Sequence, residues 1–123
     1  MILVDTSVWI DHVRRSNDRL AALLVARAVL VHPFVIGEVA LGHLRPRAAI
    51  LRELHDLPPV AVASREEVLH LIEQHRLFGR GIGYVDAHLL AAARLMAGAA
   101  LWTTDKRLRA VAESLGLAYS PAN

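Results

Sequence analysis

The order of apolar segments along the chain constrains its fold more than any other feature. Short β-prone runs at 2–4, 29–32, 60–62, 99–103 and 117–119 alternate with longer segments whose apolar residues recur every three or four positions. This alternation predicts strand–helix–strand units. We therefore expect an α/β fold in which a mostly parallel central sheet is flanked by helices.

The composition agrees with this fold class and excludes several kinds of site. Hydrophobic residues make up 54% of the 123 positions, and most are Ala, Leu and Val, as expected when helices cover both faces of a buried sheet. The chain has no cysteine, which excludes disulfides and zinc–thiolate sites. Its formal net charge of +2 is too small to indicate nucleic-acid binding by itself. We expect a single domain spanning 1–123.

The sequence gives no indication of a membrane segment or of export. No apolar run approaches the ~20 residues needed to cross a bilayer. The first five residues also lack the basic lead of a secretory signal. We expect a cytoplasmic protein that does not associate with a membrane.

Local signals predict several helix boundaries. Ser64 with Glu67 three residues later forms a capping-box pattern, which predicts a helix from this point to about residue 78. The segment 79–83 contains three glycines and is expected to be a flexible loop. The next segment, 84–97, is apolar almost all round, which predicts a central buried helix ended by Gly98.

Four acidic residues occupy unusual places in this pattern. Asp5 follows the first strand, and Asp105 follows the strand near 99–103, so both belong at the carboxyl edge of a parallel sheet. Glu38 and Asp86 lie in apolar helical segments that have no basic residue nearby. Burying such charges without a partner costs several kcal/mol.

Each acid also has an ordinary explanation when it is considered alone. Asp5 and Asp105 would cap the helices that follow them. Asp86 would interact favourably with a helix dipole, and Glu38 would be a partly exposed helix acid. Only together do the four acids indicate a shared divalent cation, which offsets their mutual repulsion. Because all the candidate ligands are oxygen atoms, Mg²⁺ or Mn²⁺ is favoured over zinc.

The sequence around these acids resembles PIN domains of the VapC type, which are the toxic ribonucleases of type II toxin–antitoxin modules. The resemblance covers essentially the whole chain and rests on four segments in the expected order: VDTSVWI at 4–10, GEV at 37–39, YVDAHLLAAA at 84–93 and LWTTDKRL at 101–108. It implies a PIN-like three-layer sandwich whose acidic pocket binds one or two Mg²⁺ or Mn²⁺ ions and cuts RNA phosphodiester bonds. It also implies a homodimer and a cognate antitoxin that covers the groove.

The resemblance assigns residues by position. The residues that match the acidic quartet, which would be both metal ligands and catalytic groups, are Asp5, Glu38, Asp86 and Asp105. The residues that match hydroxyl positions orienting ligands or water are Thr6, Ser7 and Thr104.

An acidic pocket needs a basic rim to hold RNA. The candidate RNA-binding residues are Arg45, Arg80, Lys106 and Arg107, with Arg47 and Arg76 as further basic neighbours. Arg80 is distinctive among them because Gly79 and Gly81 would let its loop approach a ligand closely.

Three other interpretations remain open. A phosphohydrolase with Asp5 as nucleophile usually needs a second aspartate two residues later, where this chain has Ser7, and a lysine from a later motif, for which Lys106 is the only lysine. A non-catalytic interaction module would use the acidic pocket to bind a basic partner peptide. A PIN nuclease acting in RNA maturation would use the same site as a toxin, and chemistry alone does not separate the two.

Overall fold

A parallel sheet of three strands forms the centre of the computed structural model, which describes residues 1–121. The strands are β1 (Ile2–Val4), β2 (Val29–Leu30) and β3 (Ala100–Trp102). The helices are α1 (Thr6–Arg14), α2 (Asp18–Val25), α3 (Pro33–Ala40), α4 (Arg47–His55), α5 (Arg65–Gln74), α6 (Tyr84–Leu95) and α7 (Lys106–Ser114). The α/β sandwich expected from the sequence is confirmed.

The strand β1 lies between β2 and β3 and is parallel to both. Its residue Leu3 is paired with Leu30 on one side and with Leu101 on the other. Leu3 and Val4 have no exposed surface, as expected for a strand covered on both faces. The parallel arrangement brings the carboxyl ends of all three strands to one edge of the sheet.

The strands predicted at 60–62 and 117–119 are absent from the described part of the chain, and those two predictions are wrong. Isolated parallel bridges replace them, joining Val31 to Pro59 and Leu101 to Ala118. The first ladder does not continue beyond Val60, because the partner segment enters α3 at Pro33, which has no N–H group to donate.

The starts of two helices follow the local signals, whereas α5 and α6 both end before the predicted residue, α6 at Leu95 rather than at 97. The capping box at α5 is confirmed, because Ser64 Oγ accepts the Glu67 N–H at 3.1 Å and Glu67 Oε1 accepts the Ser64 N–H at 2.8 Å. This helix ends at Gln74, earlier than the predicted residue 78. Arg76 has a φ of +52°, which is incompatible with a continuing helix.

The helix α6 is the most buried helix in the core, as predicted. Every residue from 87 to 93 is buried, and the alanines among them let α6 pack closely against β3 and α5. The helix has 12 residues, fewer than a bilayer requires. Among residues 1–121, no helix combines the length and apolar character needed to span a membrane.

A buried histidine connects β2 to α3. His32 has no exposed surface, and its Nδ1 accepts the Phe34 N–H at 3.0 Å as the N-cap of α3. Protonation of Nδ1 would remove this acceptor. Burial, together with a smaller contribution from the neighbouring His88, lowers the pKa of His32 to about 4. The neutral form of the His32 side chain therefore caps the start of α3.

We expect acid to destabilise the fold through His32. Between pH 6.5 and about 4 the unfolded chain binds a proton that the folded chain does not, so the free energy of unfolding falls as the pH is lowered through this range. The full effect is about 3 kcal/mol. Urea unfolding at pH 6.5 and pH 4.5 measures it, and His32→Asn, which keeps an acceptor for the Phe34 N–H, should reduce the pH dependence.

The exposed His70 provides the control for this experiment, because His70→Asn should leave the pH dependence unchanged. An equal pH dependence in the native protein and in His32→Asn would contradict this account of the acid sensitivity.

Candidate active site

Four acidic side chains gather at the carboxyl edge of the sheet. Asp5 and Asp105 are the N-cap residues of α1 and α7, directly after β1 and after the loop that follows β3. Glu38 lies on α3 and Asp86 lies in the first turn of α6. Their convergence shows in the pKa of Asp86, because the charges of the other three acids all raise it.

Asp5 is the most enclosed of the four acids, with 6% of its surface exposed. Its Oδ2 accepts two hydrogen bonds, from Ser7 Oγ at 2.8 Å and from Thr103 Oγ1 at 2.7 Å. Thr103 Oγ1 also accepts the Asp105 N–H at 3.0 Å. Ser7 Oγ in turn accepts the Thr104 N–H at 3.2 Å. This network joins the ends of β1 and β3 through side chains as well as through the sheet.

The other three acids are oriented in a similar way, each by donors to one carboxylate oxygen. Thr6 Oγ1 donates to Glu38 Oε1 at 2.6 Å, which connects α1 to α3. The Gly83 N–H donates to Asp86 Oδ2 at 2.9 Å. Asp105 Oδ1 accepts two N–H groups in the first turn of α7, those of residues 107 and 108, at 2.9 and 3.1 Å.

The second oxygen of each carboxylate remains available. Within residues 1–121, the oxygens that accept no hydrogen bond from the protein are Asp5 Oδ1, Glu38 Oε2, Asp86 Oδ1 and Asp105 Oδ2. The ion pairs of the described chain are Arg65–Glu66 and Arg109–Glu113, and neither involves these acids. The four charges therefore lie together without a basic partner.

Asp86 shows the electrostatic cost of this arrangement. Burial is the largest cause that raises the pKa of its carboxyl, and the repulsion of Asp5, Asp105 and Glu38 adds to it. The Gly83 N–H opposes these effects by stabilising the charged form. The net result is a pKa above the ordinary value for aspartate.

The donor set suits a hard divalent cation, which prefers carboxylate oxygens. In the described residues, no three Asp, Glu or His side chains lie close enough to ligate one ion directly. A divalent cation at this edge would therefore keep water molecules among its ligands, as Mg²⁺ commonly does.

The hydroxyl positions are only partly as the sequence suggested. Thr6 and Ser7 contact acids directly, whereas the Thr104 side chain donates no hydrogen bond to an acid within residues 1–121. The hydroxyl that orients Asp5 from the β3 side belongs to Thr103, which the sequence analysis did not identify. The available signal was a polar residue directly after a buried strand.

The basic candidates lie at different distances from the acids. Lys106 and Arg107 begin α7, next to Asp105. Arg80 donates to Ser114 Oγ at 3.4 Å, at the far end of α7. Arg45 lines a separate groove between α1 and α4.

The other two basic residues, Arg47 and Arg76, lie on or next to α4 and α5. Arg47 donates to the carbonyl oxygens of Ala40 and Gly42, so it ties α4 to the end of α3. Arg76 is exposed in the turn after α5. Among the basic candidates in residues 1–121, Lys106 and Arg107 are the two that directly follow an acid of the site along the chain.

Comparison with known proteins agrees with this architecture. The family model for the PIN domain matches residues 2–114. Ribonuclease VapC32 of Mycobacterium tuberculosis, in strains CDC 1551 / Oshkosh and ATCC 25618 / H37Rv, is 48% identical to this chain over 120 residues, which cover 98% of this chain and 97% of the relative. The crystal structure of FitAcB from Neisseria gonorrhoeae superposes with a TM-score of 0.59 at 23% identity, covering 92% of this chain and 94% of that one, and this likeness concerns the fold. The chain therefore belongs to the PIN-domain family and, within it, to the VapC group.

Proposed function

We propose that this protein is a divalent-metal-dependent endoribonuclease and the toxin of a type II toxin–antitoxin module. The observation that carries the proposal is the set of four carboxylates, each oriented through one oxygen and each with a second oxygen that accepts no hydrogen bond from residues 1–121. The name of its relative, Ribonuclease VapC32, supports the same activity. PIN-domain ribonucleases generally use a divalent metal, and this donor set is suited to one.

The residues that would hold the metal are Asp5, Glu38, Asp86 and Asp105. When bound, Mg²⁺ or Mn²⁺ lowers the pKa of a water molecule and offsets the charge that builds on the phosphate during cleavage. The oxygen-only donor set is the reason for proposing these ions rather than zinc.

The chain's own hydrogen bonds prepare this site before a ligand arrives. Ser7 and Thr103 fix the rotamer of Asp5, and Thr6 fixes that of Glu38. Fixed ligands are an advantage because little reorganisation is needed when the phosphate binds. One of the four carboxylates would accept the proton of the attacking water.

Further parts of the proposal rest on membership of the VapC group. We propose one PIN domain spanning 1–123, a homodimer, a cytoplasmic location and inhibition by a cognate antitoxin that covers the acidic groove. A basic side chain of that antitoxin would supply the counter-charge that the four acids lack. Lys106 and Arg107 are the proposed contacts to RNA that lie beside an acid.

The first prediction from this proposal concerns Asp5. Asp5→Asn keeps an oxygen that can accept from Ser7 and Thr103 but removes the charge that would bind metal. We expect cleavage of a mixed RNA pool in Mg²⁺ or Mn²⁺ to fall by at least about 100-fold. EDTA should abolish cleavage by the native protein.

Asp11→Asn is the matched control, because Asp11 is an exposed aspartate on the same helix. It should cleave at the native rate. Full activity of Asp5→Asn, or equal activity with and without EDTA, would be incompatible with the proposed metal centre.

The second prediction concerns the stability of the metal-free protein. Because the pKa of Asp86 is raised in the folded state, its charge opposes folding at neutral pH. In EDTA at pH 7 we expect Asp86→Asn to be more stable than the native protein. The difference should shrink as the pH falls through the raised pKa, because the native carboxyl then becomes neutral. Thermal unfolding in EDTA between pH 7 and pH 4 tests this.

The control for Asp86 is Asp18, an exposed aspartate in the first turn of α2. Asp18→Asn should be slightly less stable than the native protein, since it loses only a favourable interaction with the helix dipole, commonly ~0.3–1 kcal/mol. Mg²⁺ should raise the melting temperature of the native protein and of Asp18→Asn but not that of Asp86→Asn. Destabilisation by both substitutions in EDTA would show that the acids do not repel one another.

A further inference from the structure

The side chain of Arg107 lies across the backbone of Gly81 in the glycine-rich loop. A methyl group at Gly81 would lie 2.6 Å from Cδ and 2.7 Å from Nη1 of Arg107, which is closer than such atoms approach. Gly81 also has a φ of +81°, a conformation that residues with a side chain rarely adopt. The glycine therefore suits the loop conformation and leaves the space that the Arg107 side chain occupies, and an added side chain would displace that arginine.

The guanidinium of Arg107 has no partner of its own. Within residues 1–121 it makes no ion pair and no side-chain hydrogen bond, although it is held against the loop. The next arginine along the helix is different, because Arg109 contacts Glu113 at 4.0 Å and donates to Ser120 Oγ at 3.1 Å. An arginine that is positioned by packing but unpaired retains its capacity to bind an anion bidentately.

The surroundings of Arg107 connect it to two of the four acids. Its own backbone N–H donates to Asp105 Oδ1. The loop on which its side chain rests continues to Gly83, whose N–H donates to Asp86 Oδ2. The Arg107 side chain therefore lies where the loop meets the start of α7, and both of these elements also donate a backbone N–H to an acid of the site.

We propose that Arg107 binds a phosphate of the RNA substrate beside the carboxylate centre, and that Gly81 is the positioning residue that holds its side chain there. The inference rests on the proposed nuclease function and adds the residue that compensates for the acidic pocket. Pre-positioning matters because less side-chain entropy is lost when the phosphate binds.

Binding of RNA without cleavage tests this role directly. The probe is a fluorescein-labelled, mixed-sequence, single-stranded RNA of about 20 nucleotides, titrated by anisotropy into the Asp5→Asn protein with Mg²⁺. We expect Arg107→Ala to weaken binding about 10-fold and to reduce the slope of log affinity against log salt by about 0.7, as for the loss of one phosphate contact to a single strand. Arg109→Ala should change the affinity by less than about twofold.

Two glycines of the loop provide a matched test of the positioning role. Gly79 and Gly81 have similar positive φ angles of 72° and 81°, so alanine costs comparable backbone strain at either site. Only at Gly81 does the added methyl group meet Arg107, since nothing lies within 4 Å of it at Gly79. We expect Gly81→Ala to weaken RNA binding nearly as much as Arg107→Ala does, and Gly79→Ala to weaken it less than about twofold.

The double variant completes the cycle. If Gly81 acts through Arg107, then adding Gly81→Ala to Arg107→Ala should cause no further loss of affinity. Equal effects of Gly79→Ala and Gly81→Ala, or full additivity in the double variant, would overturn the positioning role.

The outcomes separate this inference from the nuclease proposal. If the native protein cleaves RNA with metal and Arg107→Ala cleaves it with unchanged kcat and KM, the inference is wrong while the nuclease stands. If no cleavage occurs but RNA binding depends on Arg107, the nuclease proposal is wrong while the inference stands. Absence of measurable RNA binding by the folded Asp5→Asn protein would also overturn the inference.

Discussion

The parallel pairing of β1 with both of its neighbours is the constraint on which the candidate site depends. Because β1 runs in the same direction as β2 and β3, the chain leaves all three strands at one edge of the sheet. The residues that follow the strands therefore lie near one another, whatever their separation in sequence. The Asp5 N–H donates to the Trp102 carbonyl at 2.9 Å, so the ladder itself brings the first acid to the end of β3. An antiparallel β3 would place Asp105 at the opposite edge.

The fold accepts an electrostatic cost at this edge. Within residues 1–121 the four carboxylates have no basic partner, and the pKa of Asp86 is raised first by burial and then by the charges of the other three acids. Hydrogen bonds from hydroxyl and backbone N–H groups limit the cost, because they stabilise charge without neutralising it. Arginine in place of Thr103 or Ser7 would relieve the repulsion more fully, but it would also occupy the oxygens that a metal needs. Under the proposed function, neutral donors have the advantage that one oxygen of each acid stays available to a metal.

Much of this site could be predicted from the sequence because strand ends and apolar neighbours are local signals. Asp5 and Asp105 follow recognisable strands, and the apolar residues around Glu38 and Asp86 mark them as unusual. The contact of Thr103 with Asp5 was not predicted. Strand propensity does not specify which of the adjacent residues Thr103 and Thr104 faces Asp5, because a shift of one position reverses the two faces of a strand. The absent strand at 60–62 has a similar cause, since β propensity does not specify whether a neighbouring strand can supply hydrogen bonds.

The contact between Arg107 and Gly81 could not be predicted, since it joins a loop to a helix from a distant part of the chain. Its physical significance follows from the signs of the charges. RNA approaches as a polyanion, and the carboxylate centre repels it until a cation is bound. Other ligands in solution compete for a metal cation, whereas the guanidinium of Arg107 is permanently charged and is covalently part of the chain. The Arg107 side chain lies against Gly81, at the start of the helix that Asp105 caps. Within residues 1–121 it forms no ion pair that would cancel its charge. Attraction of the phosphate and binding of the metal can therefore be separate properties of one small site.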